Sequence, residues 1–122
     1  MKICVTAQGA DLESQVDPRF GRCSYFIIID DATLEFEALS NPAATAVGGA
    51  GIQSAQMVAS AGAQAVVTGN VGPNAYMTLA ELGLKIFVGA GGTVKQAVEA
   101  YKAGKLQQAS DATAPKDSGK QK

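Results

Sequence analysis

Apolar residues recur along this chain with two different periods, one typical of strands and the other typical of helices. Continuous or alternating apolar runs predict five strands, at residues 2–7, 25–30, 34–39, 65–68 and 85–88. Apolar residues spaced three or four positions apart predict three helices, at residues 51–62, 73–82 and 93–104. The elements therefore follow the order strand, β-hairpin, helix, strand, helix, strand, helix.

This order predicts an α/β protein, a three-layer αβα sandwich around a mixed five-stranded sheet. A tight connection joins the strands at 25–30 and 34–39, so they form a hairpin in which strand 25–30 is antiparallel to its neighbours. The later strands follow helices, and right-handed crossovers make them parallel to their neighbours. The polar composition of residues 106–122 predicts a disordered tail, which leaves residues 1–105 as the folded domain.

Four loops of this fold leave the sheet at one edge, and open α/β sheets bind their ligands at such an edge. The loops span residues 8–24, 40–51, 69–73 and 89–93. They contain ten of the chain's 14 glycines, namely Gly9, Gly21, Gly48, Gly49, Gly51, Gly69, Gly72, Gly89, Gly91 and Gly92. Glycines mark turns in any α/β fold, but they also let a backbone approach a ligand closely. Their concentration at one edge favours a binding site.

The stretch from Val67 to Ala75 passes from a buried strand through a glycine turn into a helix. Its proline suits the first helical turn, where the missing N–H would have no partner. Such a junction directs backbone N–H groups and the positive end of a helix dipole at one point, which attracts anions. The candidate binding residues here are Gly69, Asn70, Gly72 and Pro73.

The other two helices also begin at this edge. Gly51 lies at the start of the first helix, and Gly91 and Gly92 precede the third. Thr93 caps the third helix and forms a capping box with Gln96. We expect Gly51, Gly91, Gly92 and Thr93 to contribute to the same anion site.

Both arginines of the chain lie in the first loop, where Arg19 and Arg22 flank Phe20 and Gly21. Two guanidinium groups facing helix amino ends suit an anionic ligand. The alternative is that Arg19 only fixes the loop by pairing with a nearby carboxylate, Asp17 or Asp11.

Cys23 follows the second arginine, and a neighbouring cation would lower its pKa and favour metal binding. The alternative is a small apolar residue at the start of a strand. Cys4 lies within a strand and is expected to be a core residue. Two cysteines without any histidine do not make a tetrahedral zinc site.

Charge and hydropathy exclude several classes of partner. The net charge of −1 gives no basic surplus, so nucleic acid is not an expected partner. The chain contains no run of eighteen apolar residues, so no membrane span is predicted. The amino-terminal residues enter a strand at once, without the layout of a signal peptide. The expected location is therefore the cytoplasm, where both cysteines are free thiols.

Catalytic patterns are missing as well. The chain has no histidine for general-base work, and the strands at 2–7, 65–68 and 85–88 have no carboxylates to hold nuclease metals. Neither a Gly-Lys-Ser/Thr sequence nor a Gly-x-Gly-x-x-Gly sequence occurs. We therefore expect a binding protein and no enzyme.

Three segments resemble the dinitrogenase iron–molybdenum cofactor biosynthesis family, which includes NifX and the carboxyl-terminal domain of NifB. They are Met1–Thr6, Val16–Phe26 with its Arg-Phe-Gly-Arg sequence, and Gly69–Ala75 with Gly-x-x-Gly-Pro-x-Ala. The resemblance covers about residues 1–105. The length of the chain is similar to that of the small single-domain branch, which includes the orange proteins.

The resemblance implies a ribonuclease-H-like fold without nuclease residues and the binding of an anionic metal–sulfur cluster. The cluster would contain molybdenum, as a molybdenum–copper sulfide or an iron–molybdenum cofactor precursor, and donor or acceptor proteins would be partners. The residues to which the resemblance assigns this binding are Arg19, Phe20, Gly21, Arg22, Gly69, Asn70, Gly72 and Pro73. Catalysis is not implied, because the radical domain of NifB is absent.

Two other functions fit the same edge of the sheet. A regulatory or scaffolding module would bind a protein partner there without metal. A phosphate or nucleotide sensor would use the same helix amino ends, and nucleotides would then raise its thermal stability.

Overall fold

A computed structural model describes residues 1–44 and 48–113 of the chain. They form a six-stranded mixed sheet and three helices. In chain order the elements are β1 (Lys2–Ala7), β2 (Tyr25–Asp30), β3 (Phe36–Ser40), α1 (Ala50–Ser60), β4 (Ala65–Val67), α2 (Pro73–Glu81), β5 (Lys85–Val88), α3 (Val94–Lys102) and β6 (Gln107–Gln108). The sheet order is β3-β2-β1-β4-β5-β6.

The central strand β1 joins an antiparallel half of the sheet to a parallel half. It pairs antiparallel with β2, which pairs antiparallel with β3. On its other side β1 is parallel to β4, and β4 is parallel to β5. The predicted hairpin and the predicted parallel crossovers are therefore confirmed.

Both faces of the sheet are covered, which explains why β1 and β4 are apolar on both sides. The face with Cys4 and Val66 packs against α1 and α2. The opposite face, with Ile3 and Val5, packs against Val94 and its neighbours on α3. These three layers are the predicted αβα sandwich.

The sheet has one strand more than predicted, and that strand lies in the segment predicted to be disordered. β6 pairs antiparallel with the end of β5, and the Ala109 N–H donates to the Ile86 carbonyl at 2.8 Å. Its two residues are glutamines, so no apolar pattern marks them. Disorder is thus wrong for the tail as far as residue 113, and residues 114–122 lie outside the described residues.

The long first loop is held by hydrogen bonds to both glycine turns. Its first half contacts the turn before α3, where the Val16 N–H donates to the Gly92 carbonyl. Its second half contacts the turn before α2, where the Asn70 N–H donates to the Pro18 carbonyl at 2.8 Å. The loop therefore runs across the sheet edge and lies between the two turns.

No helix within residues 1–44 and 48–113 has the length and apolar character needed to cross a bilayer.

Candidate functional site

A cavity of about 610 Å³ opens at the predicted edge of the sheet, and we call it the edge cavity. Its walls include seven predicted site residues, Arg19, Phe20, Arg22, Gly51, Asn70, Gly72 and Pro73. They also include six residues outside the predicted set, Gly48, Gly49, Ala50, Asn74, Ala75 and Thr113. None of these described lining residues is acidic.

The helices α1 and α2 both begin at the edge cavity, and neither amino end is capped by a side chain in the described structure. Their N-cap positions are the glycines Gly49 and Gly72. Because the first N–H groups of a helix have no intrahelical acceptor, they need a partner from elsewhere. Within the described residues, the N–H groups of the lining residues Gly51, Asn74 and Ala75 have none. Two helix amino ends thus line one space with donors that have no acceptor among residues 1–44 and 48–113.

Close packing at glycines brings these two ends together. A Cβ atom on Gly51 would lie 3.0 Å from the Cβ of Ala75 on α2. A Cβ on Gly21 would lie 3.3 Å from the Gly51 Cα, and Gly21 has a positive φ of 95°. Larger residues would separate the first loop, α1 and α2. Gly21 therefore packs against lining residues of the cavity and is not itself a lining residue.

Gly69 has a similar supporting role in the turn before α2. A Cβ on this residue would lie 2.7 Å from the Cα of Pro18, closer than real contacts allow. The neighbouring Asn70 carbonyl accepts from the Phe20 N–H at 3.3 Å. The turn and the arginine segment are thereby fixed side by side, which places Asn70 in the cavity wall.

Arg19 both lines the edge cavity and pairs with Asp17, the contact that the alternative interpretation expects. Its Nε lies 3.2 Å from Asp17 Oδ1, and its Nη2 donates to Oδ2 at 3.3 Å. The aspartate side chain is only 4 % exposed, whereas that of Arg19 is 66 % exposed. The aspartate also raises the pKa of Arg19, mainly through the hydrogen bond. The charge of Arg19 is therefore partly offset by a buried carboxylate.

Arg22 connects the first loop to the loop that follows β3. Its Nη1 donates to the Ala44 carbonyl at 3.2 Å. The buried Asn41 strengthens this connection, because its Nδ2 donates to the carbonyls of Gly21 and Cys23. Arg22 is in this way held at the cavity wall next to the amino end of α1.

Phe20 supplies the aromatic part of the cavity wall. It is 7 % exposed and packs in the core cluster that includes Val71 and Ala75. Its ring centroid lies 5.7 Å from that of Phe26 on β2. The cavity thus combines an apolar surface with guanidinium groups and backbone donors.

Thr113 is a lining residue that sequence reasoning missed. Its N–H donates to the Val71 carbonyl at 2.8 Å, and its Oγ1 accepts from the Val71 N–H at 2.9 Å. These partners are 42 positions apart in the chain, and no local pattern marks such a contact. Thr113, which follows β6, thereby forms part of the wall of the edge cavity.

Gly91, Gly92 and Thr93 do not line the edge cavity, although they precede a helix at the same end of the sheet. The first loop covers this helix end, since the Val94 N–H donates to the Ser14 carbonyl and the Lys95 N–H to the Leu12 carbonyl. The predicted capping box is confirmed, and the Thr93 side chain accepts from the Gln96 N–H. The first donors of α3 are therefore already used.

Cys23 is fully buried and does not line the edge cavity. Of the two interpretations that the sequence left open, the thiol with a pKa lowered by a neighbouring arginine is wrong, and the small buried residue at the start of a strand is confirmed. Burial raises the pKa to about 12, with a further rise from the nearby Asp17 carboxylate. Cys4 is also buried, and its pKa is raised well above the ordinary value for the same first reason. Both thiols are protonated at neutral pH.

Side chains that commonly ligate metals are dispersed. In residues 1–44 and 48–113, no group of three or more His, Cys, Asp or Glu residues is placed to hold a metal ion. What converges on the edge cavity is a set of hydrogen-bond donors and cations. Its chemistry is suited to a bound anion.

Comparisons with known proteins agree with this architecture. The apo form of the orange protein from Desulfovibrio gigas superposes with a TM-score of 0.88 and 40% sequence identity, covering 92% of this chain and 95% of that chain. A Thermotoga protein described as a candidate NifB protein of the DUF35 family gives a TM-score of 0.77 and 36% identity, covering 88% of this chain and 91% of that one.

The sequence comparisons agree with the structural comparisons. An uncharacterised protein of Methanocaldococcus jannaschii is 29% identical over 97 residues, which cover 77% of this chain and 82% of that protein. The model of the family described as dinitrogenase iron-molybdenum cofactor matches residues 1–104. This match associates the chain with metal clusters of the iron–molybdenum cofactor type. The chain belongs to the dinitrogenase iron-molybdenum cofactor family.

Proposed function

We propose that the chain binds and carries an anionic molybdenum–sulfide cluster in the edge cavity. The cluster would be of the molybdenum–copper sulfide type or an iron–molybdenum cofactor precursor. Binding would be non-covalent and reversible, and the chain would have no catalytic role. The proposal includes a cytoplasmic location, which the free thiols of Cys4 and Cys23 suit.

One observation carries the proposal, the convergence of two uncapped helix ends and both arginines on a space with no acidic residue among its described lining. Each exposed helix end favours an anion by roughly 0.3–1 kcal/mol. A guanidinium group adds a charge-assisted hydrogen bond. A ligand with several negative charges would gain most from all of these terms together.

The size and surface of the cavity favour a cluster over a small inorganic ion. Its volume of about 610 Å³ falls within the roughly 300–1,000 Å³ typical of small-molecule sites. Sulfide ligands are soft and polarisable, so Phe20 and the alanine side chains can cover them without a hydrogen-bonding penalty. The arginines and backbone N–H groups balance the charge.

Reversible binding follows from the same chemistry. A carrier must release its cargo to an acceptor protein, and covalent thiolate bonds would slow that release. Cys23 is buried and is not a lining residue of the edge cavity, and its raised pKa disfavours such a bond. Donor and acceptor proteins would then exchange the cluster through the open mouth of the cavity.

The test is anaerobic reconstitution of the full chain with tetrathiomolybdate and copper(I). After desalting, we expect a retained visible chromophore and molybdenum in a fixed ratio to protein. A parallel arm supplies iron and sulfide with molybdate to identify the preferred cluster type. If neither arm leaves bound metal, the carrier proposal is wrong.

Competition separates this function from a phosphate or nucleotide site. Phosphate and ATP at millimolar concentration should not displace the chromophore, and neither should raise the melting temperature in the absence of metal. A large thermal shift with ATP alone would favour a nucleotide sensor, since a ligand at 100 times its Kd adds about 2.7 kcal/mol.

A further inference from the structure

The wall formed by Thr113 lies outside the part of the chain that matches the family. That match ends at residue 104, whereas β6 and Thr113 lie beyond it. Thr113 nevertheless lies in the edge cavity together with the arginine segment and the amino end of α2. A residue that the family pattern does not include thus faces the proposed ligand.

The hydrogen bonds of Thr113 leave its hydroxyl proton poorly used. The Oγ1 atom accepts from the Val71 N–H at 2.9 Å. Its only acceptor within reach among the described residues is the Val71 carbonyl, at 3.5 Å. That carbonyl already accepts from the Thr113 N–H at 2.8 Å. A contact of 3.5 Å is too long to be a strong O–H···O bond.

We propose that the Thr113 hydroxyl donates a hydrogen bond to the anion in the edge cavity and so helps to determine ligand affinity. The inference rests on the proposed function of that cavity. The Val71 N–H fixes Oγ1 in place, and the hydroxyl hydrogen is then free to turn from the weak carbonyl contact towards the ligand. Donation to a charged acceptor is stronger than the contact that it replaces.

The local charges are compatible with this role. Asp111 is the carboxylate nearest to Thr113 in sequence, and its Oδ1 accepts from the Ala112 N–H at 2.8 Å. It is not a lining residue of the edge cavity. The other polar side chains in the described lining are those of Arg19, Arg22, Asn70 and Asn74. None of them is acidic, so a hydroxyl donor adds to a set that suits an anion.

The first test compares Thr113→Ser with Thr113→Val in the full chain, using tetrathiomolybdate with copper(I) as the probe. Serine keeps the hydroxyl and should bind within about twofold of the parent. Valine has a similar shape without the hydroxyl and should bind about tenfold more weakly, the loss expected for one hydrogen bond to a charged group. Equal affinities for Ser and Val would overturn the proposal.

The second test separates contact with the ligand from support of the turn. Thr113→Asn and Thr113→Asp have the same shape, and both side chains can accept from the Val71 N–H. Only the aspartate places a negative charge at the cavity wall. We expect Asn to bind within a few fold of the parent and Asp to lose at least tenfold, with melting temperatures that match. Equal binding by the pair would show that Thr113 only supports the turn and would overturn the proposal.

The parent protein makes the two failures distinguishable. If the parent retains no chromophore, the proposed function of the cavity fails. If the parent retains it and the four Thr113 variants bind alike, the cavity function stands and the Thr113 inference fails.

Discussion

The amino end of α3 and the amino ends of α1 and α2 lie at the same end of the sheet, yet only the latter pair faces the edge cavity. In α3, Thr93 caps the helix, and the loop carbonyls of Leu12 and Ser14 accept the next donors. In α1 and α2 the N-cap residues are Gly49 and Gly72, without a side-chain cap in the described structure. Judged from the described residues, one helix end is closed and the other two are open.

From this difference we expect a helix amino end to bind an anion only where its donors are still available. The helix α3 also has a dipole with its positive end at the amino terminus, but its first N–H groups already have acceptors. The first residues of α1 and α2 line a space that both arginines also line. Capping status therefore distinguishes a structural helix start from a candidate binding site.

The largest expected effect comes from removing both arginines at the open ends. The double variant Arg19→Gln with Arg22→Gln should lower tetrathiomolybdate affinity about 100-fold, since two charge-assisted contacts are lost. It also removes the cationic partner of the buried Asp17, whose Oδ1 keeps the backbone N–H of residue 19, and this makes the edge of the sheet more negative. Equilibrium dialysis with molybdenum analysis measures the change.

Lys95 offers the matched control at the closed end. It is an exposed cation in the first turn of α3, and Lys95→Gln removes one positive charge from that end. We expect its affinity to stay within about twofold of the parent, because surface charges away from the ligand are screened. An equal loss in Lys95→Gln and the double variant would mean that net charge, and no particular site, determines binding.

The second prediction concerns the packing that keeps the open ends in place. Gly69→Ala should lower the free energy of unfolding by about 1–3 kcal/mol, the cost of overpacking, because its Cβ would meet the Pro18 backbone. Gly91→Ala, in the turn before α3, has no heavy atom within 4 Å of its Cβ position. Its expected change is below about 0.5 kcal/mol.

Urea unfolding of both variants measures this contrast. Equal destabilisation would show that both turns are equally constrained, which contradicts the geometry. If the folded fraction of Gly69→Ala binds the cluster more weakly than the parent does, the turn itself belongs to the binding site.

The third prediction converts an open end into a closed one. Gly72 has extended backbone angles and empty space at its Cβ position, as an N-cap side chain requires. Gly72→Asp should cap α2 and raise the free energy of unfolding by about 0.5 kcal/mol or less. It should also lower affinity at least tenfold, because the carboxylate occupies the donors and repels the anion.

Gly72→Asn and Thr93→Ala complete this experiment. Asparagine caps without a charge, so its loss of affinity should be smaller than that of aspartate. Thr93→Ala should cost about 1 kcal/mol of stability and leave affinity unchanged. If uncapping α3 altered binding as strongly as capping α2, the two ends would be equivalent and the comparison would fail.

Sequence reasoning located the open ends but did not separate them from the closed one. The signal was present, since Thr93 with Gln96 forms a capping box, whereas Gly49 and Gly72 offer no capping side chain. A capping box indicates that a helix end has satisfied its own donors, and it should have excluded the turn before α3 from the site.

Contacts between distant parts of the chain account for what the sequence could not predict. The strands β1, β2 and β5 have the predicted bounds because their apolar runs are local signals. In contrast, β6 forms only because the edge of β5 offers it backbone partners. Thr113 reaches Val71 across 42 positions, and the carbonyls that close α3 come from the first loop. Residue patterns within one element do not encode such pairings.

The smallest expected effect concerns Cys23. It tests whether the open ends bind the anion without a thiolate ligand. Cys23 belongs to the core cluster that contains Phe20 and Ala75, both lining residues of the edge cavity. Its pKa of about 12, against an ordinary value of 9.0, keeps the thiol protonated. Cys23→Ala should therefore change tetrathiomolybdate affinity at pH 7 by less than about twofold, as expected for a residue outside the contact. A tenfold loss with unchanged stability would make Cys23 a ligand.

The pH dependence of stability provides an independent check on the same thiol. Between pH 9 and 12 the unfolded chain releases the Cys23 proton and the folded chain keeps it. The unfolded state then binds fewer protons, so the free energy of unfolding falls as the pH rises, by at most about 1.4 kcal/mol per pH unit for one thiol. Urea unfolding of the parent and Cys23→Ala at pH 8 and pH 10 should show a smaller fall in the variant. Identical falls would mean that the thiol titrates normally, which would contradict the raised pKa and remove this argument against a thiolate ligand.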